Sequence, residues 1–134
     1  MALVTYIDNF SGSIAVSPSG IYLYASHAFS DNITAYTIGV DGSITELKGS
    51  PFPSNSSGAG SETVALAIAP SGKFIFTLQV GSAVTVCSSR INADGSLSLV
   101  GCTPSIGSDL PYGGFLAIDR TSNYLYAPNY ERTR

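Results

Sequence analysis

The sequence predicts an all-β fold built from repeated four-stranded antiparallel units, on three observations. An internal repeat recurs at a spacing of 50–52 residues: IAVSPSGIYLYAS from Ile14, LAIAPSGKFIFTL from Leu66 and LAIDRTSNYLYAP from Leu116. Each copy is two apolar runs around a polar turn, with β-branched and aromatic residues where a strand wants them and no apolar periodicity of a long helix. The second half of the period repeats as well, NITAYTIGVDGSITEL matching AVTVCSSRINADGSLSLV with Asp41-Gly42 falling on Asp94-Gly95. Asp-Gly between alternating runs is a strong hairpin signal, and a type I′ turn is the expectation at both places.

In chain order, residues 3–7 (Leu3-Val4-Thr5-Tyr6-Ile7) offer one strand ahead of the first period. The first period then reads as strands over about 13–18, 21–27, 33–39 and 43–49, broken by Pro18-Ser19-Gly20 and Asp41-Gly42. The second repeats this after Pro70-Ser71-Gly72 and Asp94-Gly95, and the third stops after its second strand near Tyr130. A four-stranded antiparallel unit of about 50 residues is a β-propeller blade. The expected division is 1–12 as an extra strand from a neighbouring blade, 13–62 as blade 1, 63–111 as blade 2 and 112–134 as the first half of blade 3. A ring takes typically 4–8 blades, each hiding its apolar faces against its neighbours. The chain therefore reads as a propeller fragment, completed by missing blades of a longer parent or by copies that close a ring together.

Composition narrows the function classes. With 134 residues, 44% hydrophobic, the chain can bury a core, while 11% charged residues and a net charge of −3 argue against an electrostatic nucleic-acid binder. No apolar run reaches the roughly 18 residues of a membrane span. The opening MALVTYIDNFSGS lacks the basic and apolar regions of a signal peptide. Low charge and abundant Ser and Thr suit a secreted or periplasmic surface, and the compartment stays open. There is no Gly-x-Ser-x-Gly elbow, no Walker loop and no dinucleotide fingerprint. One His and two Cys are too few for a structural zinc site, and no metal is expected.

The cysteines are placed by the hairpin. If Asp94-Gly95 is a two-residue turn, Cys87 and Cys102 face each other across the third and fourth strands, on a hydrogen-bonded pair where bridging is less natural. A bulge near Gly101 would correct that. A disulfide and two half-buried thiols, with Arg90 the basic neighbour, both stand as readings. Tyr22, Tyr24, Phe74, Phe76, Tyr124 and Tyr126 recur at matching offsets, which is what packing between blades requires.

The inner-strand phrase IAVSPSGIYLYAS and the hairpin TAYTIGVDGSITEL followed by GSPFP resemble lactonase-type seven-bladed β-propellers, the 6-phosphogluconolactonase-like proteins and their surface-repeat relatives, from Ile14 to Tyr130. The resemblance implies a parent of about 350 residues, seven periods long. It implies opening of a sugar-acid lactone by water, in carbohydrate metabolism, with no dissociable organic cofactor. It also places the loops between second and third strands, and those between blades, on one face around the channel. That rule selects His27, Asp31 and Asn32 from blade 1, Glu62, Asp109 and Tyr112 from the inter-blade loops, and Asn129, Glu131 and Arg132 from the third unit. A lactonase needs a base to activate water and a cation for the developing oxyanion. His27, with Glu62 as runner-up, fits the base, and Arg132 the cation; Asp31, Asn32, Asp109, Tyr112 and Asn129 would hold ligand. Each has a competing reading as a solvated loop residue. Relatives with activity carry His and Arg on loops entering the inner strands, whereas SETVALAIAP and PYGGFLAIDR have neither ahead of the strand. That favours the alternative: a non-catalytic propeller binding a protein or glycan through its loop face. The first reading is a lactonase-like hydrolase of which this chain, inert alone, is part.

Overall fold

In the computed structural model, residues 4–7, 12–27, 29–55, 62–107 and 115–127 are described. Eleven strands and no helix occur among them. The first blade orders β1 (Ile14–Val16), β2 (Tyr22–His27), β3 (Asn32–Ile38) and β4 (Ile44–Glu46) side by side, with β5 (Phe52–Pro53) also on β3. The second is β6 (Glu62–Ile68), β7 (Phe74–Val80), β8 (Val84–Ile91) and β9 (Leu97–Cys102), and β10 (Ala117–Ile118) pairs β11 (Leu125–Tyr126). All pairings are antiparallel. The architecture is the all-β, propeller-like one.

The repeated phrases fold alike because their turns are alike. The N–H groups of Gly20, Gly72 and Ser122 donate to the carbonyls of Ser17, Ala69 and Asp119 at 2.8, 2.8 and 2.9 Å. The residue closing each turn has positive φ, 74° and 71° at the glycines and 61° at Ser122. Ser122 carries that conformation with support from Asp119, whose Oδ1 accepts from the backbone N–H groups of Asn123 and Tyr124 at 2.9 and 2.7 Å.

The Asp-Gly hairpins differ from the expected type I′. Only the glycine has positive φ, 82° at Gly42 and 84° at Gly95. Gly42 N–H donates to Gly39 C=O and Gly39 N–H to Ser43 C=O, at 2.9 and 2.7 Å, and Gly95, Asn92 and Ser96 repeat this at 2.9 and 2.9 Å. The loop is thus three residues long, a type I turn followed by a left-handed glycine. The aspartate selects it: Oδ1 of Asp41 accepts from Ser43 N–H and Oγ at 3.1 and 2.6 Å, and Asp94 does the same with Ser96 at 3.0 and 2.5 Å. Those hydrogen bonds, made to the ionised carboxylate, hold both acids below their ordinary value.

The longer loop shifts the hairpin by one residue, and a bulge between Ser88 and Ser89 shifts it back. Cys87 and Cys102 end up opposite each other as the two-residue count expects. They are not a hydrogen-bonded pair, however, because Thr103 N–H donates to Val86 C=O at 2.8 Å and Cys87 and Cys102 fall between ladder bonds. Their Cα atoms are 4.0 Å apart and their sulfurs are bonded at 2.03 Å.

The first blade departs from a continuous fourth strand. After Glu46 the chain leaves β3 and returns at Phe52, through a cis Ser50–Pro51 bond. The gap in the ladder is filled by side chain, with Ala35 N–H donating to Ser50 Oγ at 3.0 Å. Residues 4–7, where an extra strand is expected, are not strand, and Thr5 Oγ1 donates to Gly42 C=O at 3.1 Å. The adjacent β1 offers only three residues to pair with.

The core lies between sheets. Tyr24, Ile33 and Ala35 on the front of the first blade bury Leu66, Ile75 and Leu97 on the rear of the second. The Tyr24 hydroxyl donates to Gly95 C=O at 2.8 Å and the half-buried Tyr22 hydroxyl to Ala93 C=O at 3.2 Å. Burial, more than its neighbours Tyr22 and Asp94, keeps the Tyr24 phenol protonated well above its ordinary range. A second cluster, including Leu78, Val84 and Val86, is met by Leu116, Leu125 and Ala127 of the third unit.

Candidate functional site

The β2–β3 and β7–β8 connections and the ends of β5 and β6 meet on one side of the molecule, and His27, Asp31, Asn32 and Glu62 stand there. His27 ends β2, half-buried, directly across from Asn32 at the start of β3. Its Nε2 lies 2.6 Å from Thr34 Oγ1, which fixes the plane of the imidazole. Asn32 Oδ1 accepts from Ser30 Oγ at 3.2 Å. Asp31 has a left-handed backbone, φ 47°, a conformation that Asp tolerates because its short carboxylate can bond locally. The Asp31 carbonyl accepts from Ser54 N–H at 3.0 Å. Glu62 opens β6 opposite Val80 and is exposed.

Between the two groups sits a buried polar cluster that the sequence reading does not anticipate. Ser54 Oγ lies 2.9 Å from Thr63 Oγ1, and Thr63 Oγ1 donates to Gln79 Oε1 at 3.0 Å. Gln79 Nε2 donates to Thr77 Oγ1 at 2.8 Å and to Ser54 C=O at 3.2 Å. All four residues are at most 2% exposed. A buried amide holds its place only with its donors and acceptors matched, so the cluster fixes Ser54 against the second blade. Ser54 is then a two-way clamp, holding the Asp31 carbonyl on one side and Thr63, the neighbour of Glu62, on the other. The loop carrying Asp31 and the strand opened by Glu62 are thus tied together across adjoining blades through one buried network.

A signal for this cluster was available in the repeat. Gln79 lies 52 residues after His27, at the same place in the second-strand phrase, and Asn129 lies 50 further on. Three successive copies of the phrase therefore carry His, Gln and Asn at one position. Asp109, Tyr112, Asn129, Glu131 and Arg132 lie outside the described residues. Among the described residues no group of three or more His, Cys, Asp or Glu could hold a metal ion.

No family model matches the chain, and no curated protein matches it in sequence. Solved structures do match. A provisionally assigned 6-phosphogluconolactonase from Bacteroides uniformis superposes with a TM-score of 0.70 at 22% identity, over 85% of this chain and 31% of its own length. A second such protein, from Bacteroides fragilis, gives 0.69 at 19% identity over 85% and 30%. A periplasmic gluconolactonase from Pseudomonas aeruginosa gives 0.64 at 16% identity, over 87% and 38%. The chain has the lactonase-like propeller fold, and it spans about a third of the length of these matching structures.

Proposed function

We propose that this chain supplies two blades and part of a third to a propeller that opens a sugar-acid lactone, and that alone it opens none. The likeness of its described strands to gluconolactonase structures over a third of their length carries this reading. In the reaction, water adds to the lactone carbonyl, the ring C–O bond breaks, and the ring oxygen leaves as a hydroxyl beside a new carboxylate. His27, oriented by Thr34, is suited to take the proton from water, with Glu62 from the next blade as the alternative base. Asp31 and Asn32 offer acceptors and a donor for sugar hydroxyls. Arg132 is assigned the oxyanion, and Asp109, Tyr112 and Asn129 further ligand contacts. No cofactor enters this chemistry.

The test is a pH-stat assay of gluconolactone opening, run on the 134-residue chain and on a longer protein that continues it to a closed ring. The chain alone should not exceed the spontaneous rate. The ring should, and His27→Ala combined with Glu62→Gln should abolish the excess. Activity untouched by both changes would remove these residues from the mechanism. A folded, inactive ring would instead support the second reading, glycan or protein binding at the loop face, which the absence of His or Arg in Ser61-Glu62-Thr63 favours.

A further inference from the structure

The Cys87–Cys102 disulfide faces the joint at which the first blade hands over to the second. Cys87 lies directly opposite Thr77 in the β7–β8 ladder, and opposite residues share a face of the sheet. Thr77 Oγ1 donates to Ser54 C=O at 3.4 Å and accepts from Gln79 Nε2, so Cys87 adjoins the buried cluster that holds Ser54. At the other end of the bridge, Cys102 Sγ lies 3.8 Å from Oδ1 of Asn55, the residue after Ser54. The two cysteines differ in access: Cys87 is 1% exposed, whereas Cys102, which closes the outer strand β9, is half-buried. The repeat itself does not call for the bridge, because 53 residues earlier the matching positions hold Thr34 and Gly49.

We propose that this disulfide is a redox-sensitive lock on the joint: oxidised, it keeps Ser54 and Asn55 seated on the second blade, and a dithiol reductant releases them. One thiolate of the dithiol bonds to Cys102 Sγ, the more accessible sulfur, as the S–S bond breaks, and Cys87 leaves as a thiolate and takes a proton. The second thiol then displaces Cys102 from the mixed disulfide. The reductant ends as its cyclic disulfide, and the cysteines gain two electrons and two protons. Sulfurs that are no longer bonded must part to the spacing of non-bonded atoms. Cys87 is enclosed, so the movement falls on Cys102 and on Asn55 beside it. Ser54 follows, and with it the Asp31 carbonyl that accepts from the Ser54 N–H at 3.0 Å. The bridge thus governs how the Asp31 loop stands against the strand opened by Glu62, whatever chemistry the loop face performs.

The test is amide exchange of the 134-residue chain by NMR, oxidised and in dithiothreitol without denaturant. Mass spectrometry of an alkylated aliquot should count two thiols in the reduced chain, with the β circular-dichroism signal kept. Beyond the loss within β8 and β9, the Ser54 amide should exchange about ten-fold faster or more, while amides of the β2–β3 ladder stay within about two-fold of their oxidised rates. Reoxidation should restore the slow Ser54 rate. Cys87→Ser combined with Cys102→Ser should show the fast rate with or without dithiothreitol, which separates the lost bond from any other effect of the reductant. A bridge that resists dithiothreitol until the chain unfolds overturns the proposal, and so does a Ser54 amide unmoved in the reduced chain. Exchange that rises equally throughout β2 and β3, or a double variant that unfolds, also overturns it, because the bridge is then a general support and not a lock on one joint.

Discussion

The two blades share their inner strands and part company at the outer edge. β1–β2 and β6–β7 pair through the same positions of the same phrase, Ile14 opposite Ala25 and Leu66 opposite Thr77. At the fourth strand the first blade breaks off after Glu46 and resumes at Phe52, using the Ser50 hydroxyl in place of a backbone acceptor. The second keeps a continuous β9 with one bulge and a Cys87–Cys102 disulfide. The inner strands are sandwiched between neighbours, where a one-residue slip would turn apolar side chains away from the core. The outer strand has solvent on one side and tolerates either device. Repetition in sequence is therefore strictest where the repeat must pack.

The largest expected effect separates the two fronts. Tyr24 is fully buried against the second blade, while Phe76, at the matching position, meets only the small third unit and stays half-buried. Tyr24→Ala should lower the unfolding free energy by about 3–5 kcal/mol. Phe76→Ala should cost about 1–2 kcal/mol, since less area leaves water there. Urea titrations of both variants measure the gap, and equal losses would mean that the fronts are equally covered. Next is the disulfide. It closes a span of 15 residues, so reduction should cost about 3 kcal/mol. Amide exchange should locate the loss in β8 and β9, and faster exchange in β3 and β4 instead would contradict the division of labour between the outer edges.

The hairpin glycines give a finer contrast. Both have left-handed backbones, so alanine at Gly42 should cost about 1 kcal/mol in a single chain. Gly95→Ala must in addition displace the Tyr22 ring, and should cost about 2–3 kcal/mol, read from thermal melts at low concentration. The smallest effect is shared by both blades. Asp41, Asp94 and Asp119 are held below the ordinary 3.8 of an aspartate, chiefly by hydroxyl donors from Ser43, Ser96 and Thr121. A carboxyl with a depressed folded pKa adds stability above that ordinary value and loses it as the pH falls through the folded pKa. Stability measured downward from pH 5 should thus decline below about 4, and Asp41→Asn and Asp94→Asn should flatten the decline by similar shares.

Much of this fold was legible in the chain because it depends on local chemistry. Alternating apolar runs, Pro-Ser-Gly turns and Asp-Gly hairpins define strands through a few neighbouring residues each. The hairpin form was not legible to the residue: the Ser43 and Ser96 hydroxyls favour a three-residue loop where the dipeptide alone suggests two. The cysteine pairing came out opposite only because a bulge undid that one-residue shift. At the candidate site, His27 and Glu62 were picked out by the loop rule that the family resemblance implies, but Ser54, Thr63, Thr77 and Gln79 are ordinary polar residues until β6, β7 and the end of β5 bring them together.

The sequence by itself determined the strand order, the unit of repetition and the aromatic rung, because period, turn chemistry and side-chain alternation act within a few residues. Tertiary structure alone decided which tyrosine is buried and which exposed, what joins the Asp31 carbonyl to the strand of Glu62, and where the outer edge breaks. Those outcomes depend on what lies on the far side of each sheet. Identical phrases cannot encode that difference: Tyr24 and Tyr126 sit at the same place in the repeat, and only the blade packed against Tyr24 excludes water from it.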